Sequence, residues 1–282
     1  MPGKQVTELD ALPSFTDNSL LPVHNGAGLK KGLLSQLASY LGNKFSNPNL
    51  LINPDFKINQ RGATSYEQQG YSVDRWKIWN VTVTPSANGG ITVKNDKYAD
   101  TGTFLQYLEN ATEGDSTLSC YVTSVSGTVT MVADDNSQIV LKQGLNVVHT
   151  SASTKTFTIF LNRGTSITLK WVKLEQGKVA TAFIAPNPAE ELVKCKRYYD
   201  FSVLHFYGVC NSNGSLNEDL VLYRHFRTSP TFTKNATYSK NITVSTLALK
   251  GSNDNGYYLY VRTPTSGTYE LDLTIKADAE IY

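Results

Sequence analysis

A mainly β protein is the fold class the sequence predicts: a jelly-roll-like β-sandwich, then a second, smaller β-domain, preceded by a short α-containing segment. Three observations predict it. After Asn49 the chain becomes rich in Thr, Val, Ile, Tyr and Gly, the residues of pleated surfaces and the turns between them. Short apolar runs recur there between clusters of Gly, Asn, Asp and Ser. Ser166 to Leu174 alternates with period two, so that Ile167, Leu169 and Trp171 share a face expected to be core.

The elements follow in order. Leu29, Leu33, Leu34, Leu37 and Leu41 fall at helical spacing and predict a short helix over residues 30 to 41. Ahead of it, Leu20 to Gly26 reads as a small strand running into an Asn25-Gly26 turn. Fewer than 50 residues bury too little surface to stand alone, so this segment is expected to dock on copies of itself or on a larger assembly. Strands are then predicted at 91–93, 119–122, 128–132, 138–141, 156–160 and 166–174. That is a density of eight or so between residue 50 and about 185. Pro186-Asn187-Pro188 precedes a short helix over Ala189 to Tyr198. Strands resume at 219–223, 241–244, 257–261 and 268–275. The expected organisation is an attachment or oligomerisation segment over 1–48, the sandwich over 49–187 and a C-terminal β-domain over 188–282.

Charge and motifs exclude several functions. Among 282 residues, 26 basic side chains face 24 acidic ones, a net +2 that does not suit a surface built to neutralise nucleic acid. No apolar run approaches the roughly 20 residues of a bilayer helix, so no membrane insertion is expected. No leader with an apolar stretch and cleavage site is visible, and synthesis in a cytoplasm is expected. Cys120, Cys195 and Cys210 form no CxxC pair and read as buried small hydrophobes. Phosphate-loop, HExxH and GxSxG motifs are missing, and His24, His149, His205 and His225 have no partner at ligand spacing. The glycines of Gly26 to Gly32 are a residue out of step for a dinucleotide loop and read as turn glycines. Asp134-Asp135-Asn136 and Asn253-Asp254-Asn255 have the oxygen-rich composition of calcium loops but lack the EF-hand glycine and distal glutamate. Hairpin turns are the favoured reading. Neither catalytic residues, a metal nor a cofactor is expected.

Aromatic side chains are more informative. In Val73 to Trp79, alternation separates Trp76 from Trp79: Trp76 and Trp171 are expected in the core, and Trp79 is a candidate for the surface. Tyr258 and Tyr260 share a face and leave Tyr257 on the other. Trp79 and Tyr257 are therefore the candidate carbohydrate-binding residues, because a flat ring can stack on the apolar face of a sugar at little entropic cost.

Several ordered motifs resemble a known family. Asn49 to Phe56, Asn59-Gln60-Arg61-Gly62 and Gly70 to Trp76 resemble the opening of a domain common in tail-fibre, head-fibre and receptor-binding proteins of phages and prophages. Val172 to Gly177 with Ala180 to Phe183, Glu190 to Tyr199, Arg227 to Thr231 and Lys276 to Tyr282 agree with it in order. Thr7 to Leu12 with Asp17 to Gly26 is similar to the attachment modules that precede such fibres. The resemblance implies a carbohydrate-binding jelly roll in a non-enzymatic virion protein. It further implies a homotrimer that holds other virion proteins through residues 1–48 and host cell-surface glycan through its β-domains. A purely structural capsid decoration and a polysaccharide depolymerase are the alternatives. Asp74, Arg75 and Trp76 recur in the family pattern, and a structural role explains that as well as a ligand does.

Overall fold

The computed structural model describes residues 19–24, 29–34, 37, 46–98, 100–210, 214–218, 225–243, 248–251 and 257–281. Ten strands from β3 to β12 form one barrel-like sheet: β3 (Tyr66–Tyr71), β4 (Lys77–Pro85), β5 (Ile91–Asn95), β6 (Gly102–Tyr107), β7 (Ser116–Ser126), β8 (Val129–Val132), β9 (Gln138–Val140), β10 (Gly144–Thr150), β11 (Thr156–Leu161) and β12 (Thr165–Gln176). The strand order is β10-β7-β12-β5-β4-β6-β11-β8-β9, with β3 paired to β4. Every pairing is antiparallel, and inward positions alternate as period two requires: β6 buries Gly102, Phe104 and Gln106, and β11 buries Phe157, Ile159 and Leu161.

Strand β4 carries the sheet from one layer to the other. Residues 77–79 pair with β6, whereas residues 82–85 pair with β5. Between them Asn80 is a bulge with a left-handed φ of 53°, which is why Ile78 and Val81, three residues apart, both point into the core. At this crossing β6 opens on Gly102, where a Cβ would meet Val81 and lie 2.6 Å from the Asn80 carbonyl oxygen. In the core Trp76 stacks on Phe104 with ring centroids 4.7 Å apart and meets Phe157 edge-on at 5.9 Å.

A short helix follows, α1 (Pro188–Lys196). Asn187 caps it by accepting from the Ala189 amide, and its first turn carries Glu190 and Glu191 while its last carries Lys194 and Lys196. Beyond it lie β13 (Tyr199–Cys210), β14 (Gly214–Glu218), β15 (Thr231–Lys240), β16 (Ala248–Gly251), β17 (Tyr257–Thr263) and β18 (Gly267–Asp278). They form two three-stranded sheets, β13-β18-β15 and β14-β17-β16. Leu271, Leu273 and Ile275 of β18 are the buried face predicted by their alternation.

The predicted fold class holds, and three local expectations need correction. Residues 29–33 are not the start of a helix. They form strand β2 (Leu29–Leu33), paired from His24↔Leu29 to Leu20↔Leu33 with β1 (Leu20–His24). A partner strand only a few residues upstream captures the segment before its leucine spacing can act; helical backbone appears at Leu34 and Leu37. The Asn25-Gly26 turn and the remainder of the predicted helix lie outside the described residues. Asn241 to Thr243 are not strand: β15 stops at Lys240, and Asn241 turns with a left-handed φ of 51° while its side chain bonds Thr265. The strand expected over 219–223 lies outside the described residues. The third correction is Trp171, which is half-exposed. Pairing of β12 with β7 skips Lys170, so the inward phase passes from Ile167 and Leu169 to Val172 and Leu174, and Trp171 faces outward.

Gly102→Ala is expected to destabilise the protein by about 1 to 3 kcal/mol in urea unfolding, because the strand crossing leaves no room for a methyl group.

Candidate functional site

Asn53, Gln60, Asp74 to Trp76, Glu191 and Glu280 converge on one buried joint between the sandwich, α1 and the end of β18. Asn53 is its hub. Its amide group donates to the carbonyls of Ile58 (2.8 Å) and Asp74 (3.1 Å), its own carbonyl accepts the Trp76 indole N–H (3.0 Å), and its backbone N–H donates to Glu191 of α1 (2.6 Å). Gln60 donates to both Asp74 carboxylate oxygens and to the Tyr199 carbonyl. Burial pushes the Asp74 carboxyl above its usual range, against the pull of those Gln60 bonds. Arg75 pairs with Glu280, and both side chains are sealed from water. Its guanidinium also donates to the Tyr107 carbonyl (2.7 Å) and lies 3.5 Å above the Tyr198 ring. Burial raises the Glu280 carboxyl too, opposed by Arg75 and Arg61. Arg227 holds the same tail through the carbonyls of Ala279 (3.1 Å) and Glu280 (3.2 Å). Asp74, Arg75 and Trp76 are at most 1% exposed, so in this structure these three residues build a joint.

Exposed apolar side chains lie elsewhere. Trp79 stands on the outer face of β4 and is 47% exposed. Register continues the row: Trp79 opposite Thr103, Thr103 opposite Phe160, Phe160 opposite Thr130, and Thr130 opposite Val140. Phe160 and Val140 are exposed, and Leu105 and Val132 flank the row half-buried. Two aromatic rings two strands apart are separated by about 9.5 Å. No side chain in the row carries charge. Alternation contained the signal for Phe160, since Phe157, Ile159 and Leu161 point inward and place it outside.

A second outer row, Leu145, Tyr121 and Trp171, crosses β10, β7 and β12. Phe183 stacks flat on Trp171 at 4.6 Å. It ends a strap over residues 177–183 that covers outward-facing Lys173 and Glu175, which are joined at 3.1 Å and buried. Lys173 also donates to the Thr181 hydroxyl (2.6 Å) and the Ala182 carbonyl (3.1 Å), and the Thr181 amide donates to Glu175 (2.9 Å). The Val172 to Gly177 and Ala180 to Phe183 motifs are the two sides of this strap. On β13 the alternate residues Val203, Tyr207 and Val209 are strongly exposed. Tyr257 opens β17 opposite Gly251, and its side chain lies outside the described residues.

The acidic turn over 134–136 uses its carboxylates internally. Asp134 accepts from the amides of Lys155 (2.5 Å) and Thr156 (3.1 Å), and Asp135 from those of Ser137 (2.9 Å) and Ser151 (3.2 Å). Hydrogen bonding from Thr150 and Ser137 draws the Asp135 carboxyl down to about 2. Asp254 lies outside the described residues. Among the described residues no group of three or more His, Cys, Asp or Glu is placed to hold a metal. Cys120, Cys195 and Cys210 are buried and unpaired with one another, and burial pushes the Cys120 thiol up to about 12.

No family model matches the sequence, and no curated protein matches it. Among solved structures, two of discoidin II from Dictyostelium discoideum overlap at TM-scores of 0.21 and 0.20 with 10% and 11% identity. They cover 70% and 68% of this chain and 84% and 82% of theirs. A salicylate 1,2-dioxygenase from Pseudoaminobacter salicylatoxidans overlaps at 0.11 with 7% identity over 64% of this chain and 71% of its own. Overlaps this low bear on neither fold nor function.

Three outcomes are expected from the electrostatics. Glu280→Ala leaves Arg75 buried without its carboxylate and should cost about 3 to 5 kcal/mol in denaturant unfolding. Lys97→Ala, which breaks an exposed pair with Glu67, should leave the unfolding midpoint nearly unchanged, because solvent screens the pair. The depressed Asp135 carboxyl stabilises the fold above its ordinary range, an effect lost as pH falls through about 2. Asp135→Asn should therefore lower Tm at pH 7 and shrink the difference in Tm between pH 4 and pH 2.

Proposed function

We propose that this chain is a non-enzymatic phage-type fibre protein that holds host-surface glycan through the outer face of its sandwich. The observation that carries this reading is the uncharged row of Trp79, Thr103, Phe160, Thr130 and Val140 across five strands. Aromatic faces supply stacking surfaces for the C–H face of a sugar, and the threonines between them supply hydroxyl partners. An adhesive surface of this kind needs no catalytic group and no steering field, and the net charge of +2 provides almost none.

Residues 1–48 serve as the attachment segment. In support, the hairpin of β1 and β2 pairs with no other sheet among the described residues. Assembly as a homotrimer on the virion, after synthesis in the bacterial host cytoplasm, would turn weak single-site binding into avidity. Tyr257, on a different sheet, is kept as a second candidate contact.

A structural decoration protein is the second reading. It is favoured by the near-complete burial of Asp74, Arg75 and Trp76 in the joint, since a pattern that builds a scaffold implies no ligand.

Trp79→Ala and Phe160→Ala discriminate the readings in a pull-down with host cells. Glycan binding predicts at least a tenfold loss of cell binding for each, with Tm within about 2 °C of the parent because both side chains are substantially exposed. Unchanged cell binding by the double variant would refute adhesion through this face and favour the decoration reading.

A further inference from the structure

Strand β13 lies at the edge of its sheet and, among the described residues, pairs only with β18. An open edge is a template for another chain, and native proteins blunt it with lysine, proline or a bulge. The opposite edge, β15, is blunted in this way: Lys234 and Lys240 are exposed on it, and its pairing with β18 slips between Ala236 and Tyr238. β13 is not. From Phe201 to Cys210 it carries no lysine, proline or carboxylate, and its 12 residues pair with β18 without a shift.

Both faces of this strand are apolar, but only one is covered. Leu204 and Phe206 pack inward on Leu271, Leu273 and Ile275 of β18. On the outward face Val203, Tyr207 and Val209 are 70%, 68% and 62% exposed, and Phe201 is partly open at the end of the row. From Phe201 to Val209 the strip runs about 27 Å. It offers roughly 400 Å² of apolar side chain, a size that marks an interaction surface. His205, at its middle, turns Nδ1 to Asp272 of β18 at 2.5 Å. Beside the strip β18 carries both signs, with Lys276 opposite Phe201, Asp272 opposite His205 and Glu270 opposite Tyr207.

We propose that copies of this chain meet on the outer face of β13. An apolar strip flanked by both signs has no single-sign field with which to select a foreign partner. Contacts between identical copies are the more apolar class of interface, which this strip suits. It supplies about half of the roughly 800 Å² that each member of a stable complex covers. Thr274 and Thr268 of β18, opposite Val203 and Val209, and the open backbone edge of β13 extend it. Only the number of copies rests on the homotrimer reading above; the strip and its open edge are independent of glycan binding.

Cross-linking and sedimentation of the full chain test the proposal. A flexible bis-maleimide should join chains carrying Val203→Cys far more than chains carrying Gln143→Cys, in an exposed turn of the sandwich, because Cys120, Cys195 and Cys210 are buried. In sedimentation equilibrium, Val203→Lys combined with Val209→Lys should weaken association at least tenfold. Strand content by circular dichroism should not change, since both side chains are strongly exposed in the single chain. A parent that stays monomeric at micromolar concentration overturns the proposal. So does one that assembles equally well with both lysines and leaves Val203→Cys unjoined. Assembly as a dimer that the lysines dissolve retains the interface and sinks the trimer alone.

Discussion

Arg75 and Glu280 are 205 positions apart and meet in a site from which water is excluded. Burying two charges is tolerable only when each finds the other and their remaining atoms are bonded. The pair therefore requires that everything bringing it together be in place. The turn over 72–76 must hold Arg75 in left-handed backbone with a φ of 71°, and Asn53 and Phe56, at 56° and 62°, must adopt the same unusual conformation nearby. Such backbone is costly for side chains with a Cβ and persists where surrounding contacts over-determine it. Asn53 supplies those contacts by bonding the turn, the Ile58 loop and α1 at once. The outcome is a joint in which sandwich, helix and tail support one another.

That joint leaves the outer faces of the sandwich free of structural duty over much of their area. On one layer, undisturbed alternation places Trp79 and Phe160 outside. On the other, a one-residue bulge at Lys170 reverses the phase, bringing Trp171, Lys173 and Glu175 outward. The strap then re-buries the two charged residues, which repairs what the bulge exposed, and leaves Trp171 partly open beneath Phe183. Asn53, Asp74, Arg75 and Trp76 thus build the frame, whereas the surfaces proposed to hold a glycan lie outside it.

Much of the fold was legible from local pattern. Strands β5, β8, β9, β11 and β18, and helix α1, lie where alternation, turn residues and the Asn187-Pro188 cap placed them, because each signal is contained within a dozen residues. Trp79 and Trp76 were separable for the same reason. The outward phase of Phe160 is legible in the same way, from Phe157, Ile159 and Leu161 on the inward side. The leucine spacing from residue 29 misled, because a neighbouring strand offered β2 a ladder that outweighed helical periodicity.

The sequence by itself determined a mainly β chain with a buried alternating core, a nearly neutral surface and no recognised catalytic motif. These follow from composition and from periods of two residues, which are local properties. Only the tertiary structure decided that Trp171 faces out and that Asp74, Arg75 and Trp76 are buried in a joint. A bulge shifts phase without marking the sequence, and a pairing across 205 residues has no local signature, so both become visible only when the strands are in register.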